Sequence, residues 1–149
     1  MVDAKFFDVL NYCICDAVNK YLGKEEATKL FRTMGKLHYS ELRKRGMVNQ
    51  DPDPIKTLEN IVDYLEKSGY MGKITVTKTG DNELVVDMYD VSVLDSSIRL
   101  VDEGKSPSHI MTNTMFAALE ELGYDAEIYD LFFDKNENHV REKWIVRRR

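Results

Sequence analysis

Apolar residues recur every three or four positions through the first third of the chain. Phe7, Leu10, Ile14, Ala17, Val18 and Tyr21 make one stripe. Ala27, Leu30, Phe31, Met34, Leu37, His38 and Leu42 make a second. Two amphipathic helices are therefore expected, over about 3–22 and 24–45. Asp3 suits the first N-cap, and Gly23 and Gly46 suit the two stops. With only Gly23 between the helices, a tight helical hairpin is expected. Gly35 inside the second helix costs about 1 kcal/mol relative to alanine. Close packing of another backbone, or of a ligand, would account for it. Asp53-Pro54 then opens a third helix, with Asp53 as N-cap and proline where its missing N–H is harmless. Ile55, Leu58, Ile61, Val62 and Leu65 form its apolar face, and Ser68-Gly69 ends it.

The period then drops to two. Ile74 and Val76 alternate with Lys73, Thr75 and Thr77; Leu84, Val86 and Met88 alternate with Glu83, Val85 and Asp87. This reads as a β-hairpin turning at 79–82. A short helix is expected over 95–104, capped by Asp95 and stopped by Gly104. A further helix over 106–122 would have Ser106 as N-cap, Pro107 at its first position and Met111, Met115, Ala118, Leu119 and Leu122 inward, with Gly123 as its stop. Two strands, 126–133 and 139–148, complete the pattern, with Val140, Trp144 and Val146 sharing a face. The expected fold is α+β, in the order ααα-ββ-αα-ββ. About five helices pack on an antiparallel four-stranded sheet made from two hairpins. A chain of 149 residues is expected to form a single domain over 1–149.

Composition narrows the function classes. The hydrophobic fraction of 43% and charged fraction of 32% are those of an ordinary globular chain. No apolar run suits a membrane span, and no basic n-region precedes an apolar stretch, so a cytoplasmic protein is expected. The net charge of −5 speaks against nucleic acid as partner. Arg43-Lys44-Arg45 lies at a helix end, where cations favour the dipole, and Arg147-Arg148-Arg149 reads as a solvated tail. Cys13 and Cys15 point apart on a helix, so they neither bridge nor share a metal. They read as plain thiols, with lipidation or redox sensing as the alternative. No glycine-rich phosphate loop, nucleophile elbow or paired carboxylate is visible. His38, His109 and His139 have no metal-ligand spacing; His109 is expected to cap its helix or lie exposed.

Gly35-Lys36-Leu37-His38-Tyr39, Leu58-Glu59-Asn60-Ile61, the hairpin at 72–91 and above all the stretch from His109 to Val146 resemble the 4-vinyl reductase-type small-molecule-binding domain. That domain belongs to the superfamily of nitric-oxide-signalling and Golgi-transport ligand-binding domains. Ala117, Ala118 and Gly123 stand at the small positions of the family's last helix. Many members carry cysteines in that helix and in the final hairpin; this chain has none after Cys15, so no cysteine-based metal or redox role carries over. The resemblance implies the scaffold and a pocket for an apolar or partly apolar small molecule.

For such a pocket, Phe31, Met34, Met88, Met111 and Met115 are the candidate lining residues, with Phe116 beside them, since methionine adapts to irregular shapes. The same residues also suit a plain core. His38 and Asn113 are the leading polar candidates, with Tyr39 and Thr114 near them. The pocket is expected between the sheet and the second and last helices. No cofactor is expected; haem, through His38, is the exception considered. The reading that follows is a ligand-binding or sensing module without evident catalysis, acting as a homodimer. Its rivals are an enzyme on the same scaffold, reducing or hydrolysing a small ring compound, and a protein-assembly subunit.

Overall fold

Asp3 accepts hydrogen bonds from the Lys5 and Phe6 amides and so starts α1, Ala4–Lys44. The structure is a computed structural model that describes residues 2–149. The two helices expected over 3–45 form this one element, broken at Gly23, whose backbone (φ 78°, ψ 163°) is not helical. The break is a real change of course. Asn19 and Thr28 are nine residues apart, which puts them on opposite sides of a straight helix at 100° per residue. Both nonetheless bond Ser106, at 2.9 Å each, so the two segments bend around that residue. Among the described residues there are therefore four helices rather than about five.

α2, Pro54–Lys67, begins as expected: Asp53 accepts from the Ile55 amide at 2.9 Å, and Ser68 and Gly69 (φ 77°) end it. The first hairpin is β1, Lys73–Gly80, with β2, Glu83–Tyr89. α3, Leu94–Asp102, starts one residue before the expected cap, and Val93 at its N-cap makes no side-chain bond.

α4 departs further from expectation. It spans Ile110–Glu121, and residues 106–109 are not helical. The cause is Asn19: its Oδ1 accepts from the Ser106 amide and its Nδ2 donates to the Ser106 carbonyl, both at 2.9 Å. A side-chain amide that takes both backbone groups of Ser106 holds the segment outside the helix. β3, Tyr124–Asp134, and β4, His139–Arg148, follow.

The sheet order is β1-β2-β4-β3, antiparallel throughout. The inward face of its central pair is set by register: Leu84 opposes Trp144, Val86 opposes Glu142 and Met88 opposes Val140. All six are buried. A bulge between Ile128 and Asp130 lets β3 follow the twist. α4 lies between this face and α1. Gly35 of α1 meets α4 at Asn113, where an added Cβ would stand 2.5 Å from the Asn113 carbonyl carbon. Of the two explanations for Gly35, the structure thus shows backbone packing. No helix among the described residues is long and apolar enough to cross a membrane.

Candidate functional site

β4 alternates in and out, and Glu142 falls between Val140 and Trp144 on the inward row. Its side chain is 2% exposed. A carboxylate there must be held by donors. The Thr112 hydroxyl, on the first turn of α4, donates to it at 2.7 Å (Oε1) and is 3.0 Å from Oε2. Trp144 Nε1 donates to Oε1 at 2.9 Å. Oε2 faces His109 Nδ1 at 3.9 Å, too long for a direct hydrogen bond and suited to a bridging water or ligand group.

His109 sits at the N-cap of α4 in the left-handed region (φ 43°, ψ 40°) and makes no capping bond. That conformation costs a non-glycine residue about 1–3 kcal/mol, and such strain concentrates at functional sites. Here it turns the imidazole toward Glu142 instead of out to solvent.

These groups line a cavity of about 40 Å³. Its walls include Met71, Met88, Val93, Met111 and Phe133, with Tyr70, Ser97, Ser108, Thr112, His109 and Glu142 as the polar residues. A water needs roughly 10–15 Å³ by this measure, so the space holds a few waters or a small group. Burial pushes the Tyr70 phenol well above its ordinary value, so it stays a neutral donor. A wider cleft of about 440 Å³ at Met47, Asn60 and Tyr64 is open to solvent, and one of about 190 Å³ lies at Ile55, Leu119 and Tyr124.

Of the residues expected to line a pocket, Met88 and Met111 do so. Met115 is buried in the main core, and Phe31 lies in a separate cluster with Cys15, Ala27 and Leu100. Met34 is 37% exposed on the outer side of α1. Asn113 donates to the Ser108 carbonyl at 2.9 Å. His38 is 2.8 Å from the Thr114 hydroxyl, which itself donates to the Ile110 carbonyl at 2.6 Å; Thr114 therefore accepts, and His38 Nδ1 carries the proton. None of these five lines the cavity. The cavity adjoins α4 and the sheet as expected, but its third wall is the segment leading into α3 and not α1.

The groups missed were Glu142, His109, Thr112 and Tyr70. Glu142 was within reach of the strand's alternation, which places residue 142 on the face of Val140 and Trp144. The turn of His109 toward it depends on a positive φ that local sequence does not announce.

No family model and no curated protein matches the chain. Solved structures do. The Fe(II) unliganded H-NOX protein from K. algicida matches with a TM-score of 0.54 at 15% identity, over 83% of this chain and 64% of that one. An alanine-to-glycine mutant of the same protein gives a TM-score of 0.51 at 16% identity, over 81% and 63%. The likeness is one of fold, that of H-NOX domains, and this chain spans less than two-thirds of their length. Tested against a haem, the residues as placed do not fit. The cavity is far below the roughly 300–1,000 Å³ of cofactor sites. His38, the histidine considered as its ligand, stands outside it.

The histidines give the fold a pH signature. Burial lowers the affinity of both His38 and His109 for protons; for His109 the Glu142 carboxylate opposes this in part. A histidine whose folded pKa lies below its unfolded value of about 6.5 destabilises the fold once the unfolded chain takes up the extra proton. Stability is expected to be level above about pH 6.5 and to fall as pH drops below it. Denaturant titrations at neutral and mildly acid pH should show the fall, and His38→Gln should reduce it. A profile unchanged by that substitution would remove His38 from the account.

Proposed function

We infer that the protein is a small-molecule-binding module whose site is the Glu142–His109 cavity. The observation that carries this reading is the buried carboxylate of Glu142 at the end of an apolar, methionine-rich space, with Oε2 left facing a histidine across a gap. The ligand such a site favours has an apolar body and a hydrogen-bond donor, best a cationic amine, directed at Oε2. Burial keeps His109 neutral at pH 7, so the carboxylate has no fixed cation in the cavity. Met71, Met88 and Met111 can change rotamer to enlarge the space. The likeness to the Fe(II) unliganded H-NOX protein supports a binding role. The 4-vinyl reductase-type resemblance is the finer form of the same reading. The cavity, at about 40 Å³, favours a ligand smaller than a porphyrin.

The test combines native mass spectrometry and absorbance of protein from its host with methyl NMR against short alkylamines and matched alcohols. Expected are a releasable mass without a Soret band, and amine-induced shifts at the methyl groups of Met71, Met88 and Met111 but not Met34. Glu142→Gln should weaken the amines by about tenfold or more, as loss of a charge-assisted hydrogen bond implies. A Soret band, or shifts that ignore Glu142→Gln, would overturn the assignment.

A further inference from the structure

The first segment of α1 turns the wrong face outward for a monomer. Its inward side mixes polar contacts with Phe7, Cys15 and Val18: Asn11 bonds Ser96, Asn19 bonds Ser106, and Asp8 accepts from the Ser96 amide. Of the stripe Phe7, Leu10, Ile14, Ala17, Val18 and Tyr21, which the sequence pattern assigns to a core, Phe7 and Val18 pack inward but Leu10, Ile14 and Tyr21 lie in solvent. At 100° per residue, Phe6, Val9, Leu10, Cys13, Ile14 and Tyr21 fall within an arc of about 140°. Lys20 is the one charged side chain in that arc between positions 6 and 21. Phe6 and Val9 are each 62% exposed and Tyr21 is 91% exposed. Beyond the break, Leu30, Met34 and Leu37 add a second exposed run at helical spacing.

The area identifies the occupant. Side chains of this size leave on the order of 500 Å² of apolar surface on the first segment, near the top of the roughly 300–600 Å² patches of monomers. With the second run it reaches on the order of 800 Å², about what one partner gives to a standard stable interface. The stripe is also close to symmetric about its middle. An antiparallel copy centred between Cys13 and Ile14 sets Phe6 against the partner's Tyr21, Leu10 against the partner's Ala17 and Cys13 against the partner's Ile14. Large meets large at the ends and small meets medium at the centre, as a two-fold, self-complementary interface requires.

We propose that α1 is the interface of a homodimer, in which the first segments of two copies pair antiparallel with Cys13 at the two-fold axis. This rests on exposure and spacing and is independent of the ligand reading. The cysteines make it testable, since Cys13 is exposed and Cys15 is buried.

Light scattering on the full chain should give the mass of two chains. Val9→Asp with Ile14→Asp should shift it to one chain with an unchanged circular dichroism spectrum, because both positions are exposed. A short bismaleimide should join wild-type chains through Cys13, and Cys13→Ser should abolish the crosslink. The crosslink reads the geometry without the aspartate variant, so a folding failure there leaves the question open to decision. A wild-type monomer throughout a dilution series would give this face to another protein and overturn the proposal. So would a dimer that survives the double substitution, or one that Cys13 fails to crosslink.

Discussion

Gly35→Ala is expected to destabilise the protein by about 2–3 kcal/mol, although alanine is the better helix former by about 1 kcal/mol. At an exposed helix position the propensity would win. Here a Cβ would stand 2.5 Å from the carbonyl carbon and Cβ of Asn113 and 2.6 Å from its carbonyl oxygen. A flexible side chain could swing away; a backbone on a packed helix cannot. The two helices would have to separate along their contact, and the ion pairs that bridge it, Arg32–Glu120 and Arg43–Glu121, would stretch with them. In a chain of this size the melting temperature should fall by about 5–10 °C. Gly80→Ala is the matched control. Its nearest neighbour is the Glu83 carboxylate at 3.4 Å, a group free to move, and the change there should be within about 0.5 kcal/mol. If Gly35→Ala melts at or above the wild-type temperature, α1 and α4 do not approach this closely.

Gly35 was legible in the sequence as a cost needing a reason, and the reason was one of the two considered. The same holds for Asp3 and Asp53, whose caps are local chemistry: a carboxylate two or three residues before the amides it serves. The two hairpins were legible because alternation and turn residues are local as well. What failed was long-range. Ser106-Pro107 reads as a helix start, yet Asn19, 87 residues away, takes the Ser106 backbone. The stripe of Leu10, Ile14 and Tyr21 reads as core because periodicity reports amphipathicity and not which partner covers it. Five of the seven expected site residues lie away from this cavity for a related reason. Methionine and phenylalanine at helical spacing mark a buried face, and a cavity occupies only a small part of one. Glu142, the group at the centre of the site, was hidden by its own charge, since an acidic residue in an alternating strand is usually assigned to solvent.

That burial makes Glu142 the second place where one substitution should cost most. Thr112→Val keeps the shape of the side chain and removes the hydroxyl that serves Oε1 at 2.7 Å and lies 3.0 Å from Oε2. Trp144 Nε1 is then the only side-chain donor to the carboxylate among the described residues. A hydrogen bond to a buried charge contributes about 1.5–3 kcal/mol, and the expected loss is about 2–3 kcal/mol. Glu142→Leu should be milder. It abandons the Thr112 and Trp144 donors, but it puts no charge in the core and fills an inward position between Val140 and Trp144. In Glu142→Leu with Thr112→Val the carboxylate and its hydroxyl donor leave together. The double variant should therefore be more stable than the sum of the two single losses predicts, by about 1 kcal/mol or more. Denaturant unfolding of the four proteins closes the cycle. Strict additivity would mean that Thr112 and Glu142 do not interact in solution, and the carboxylate would then have to be held by water or by a ligand instead. The stability cycle therefore also bears on binding: under the proposed ligand reading, a carboxylate served by two neutral donors, with Oε2 facing His109 across a gap, would meet a further donor that arrives from outside.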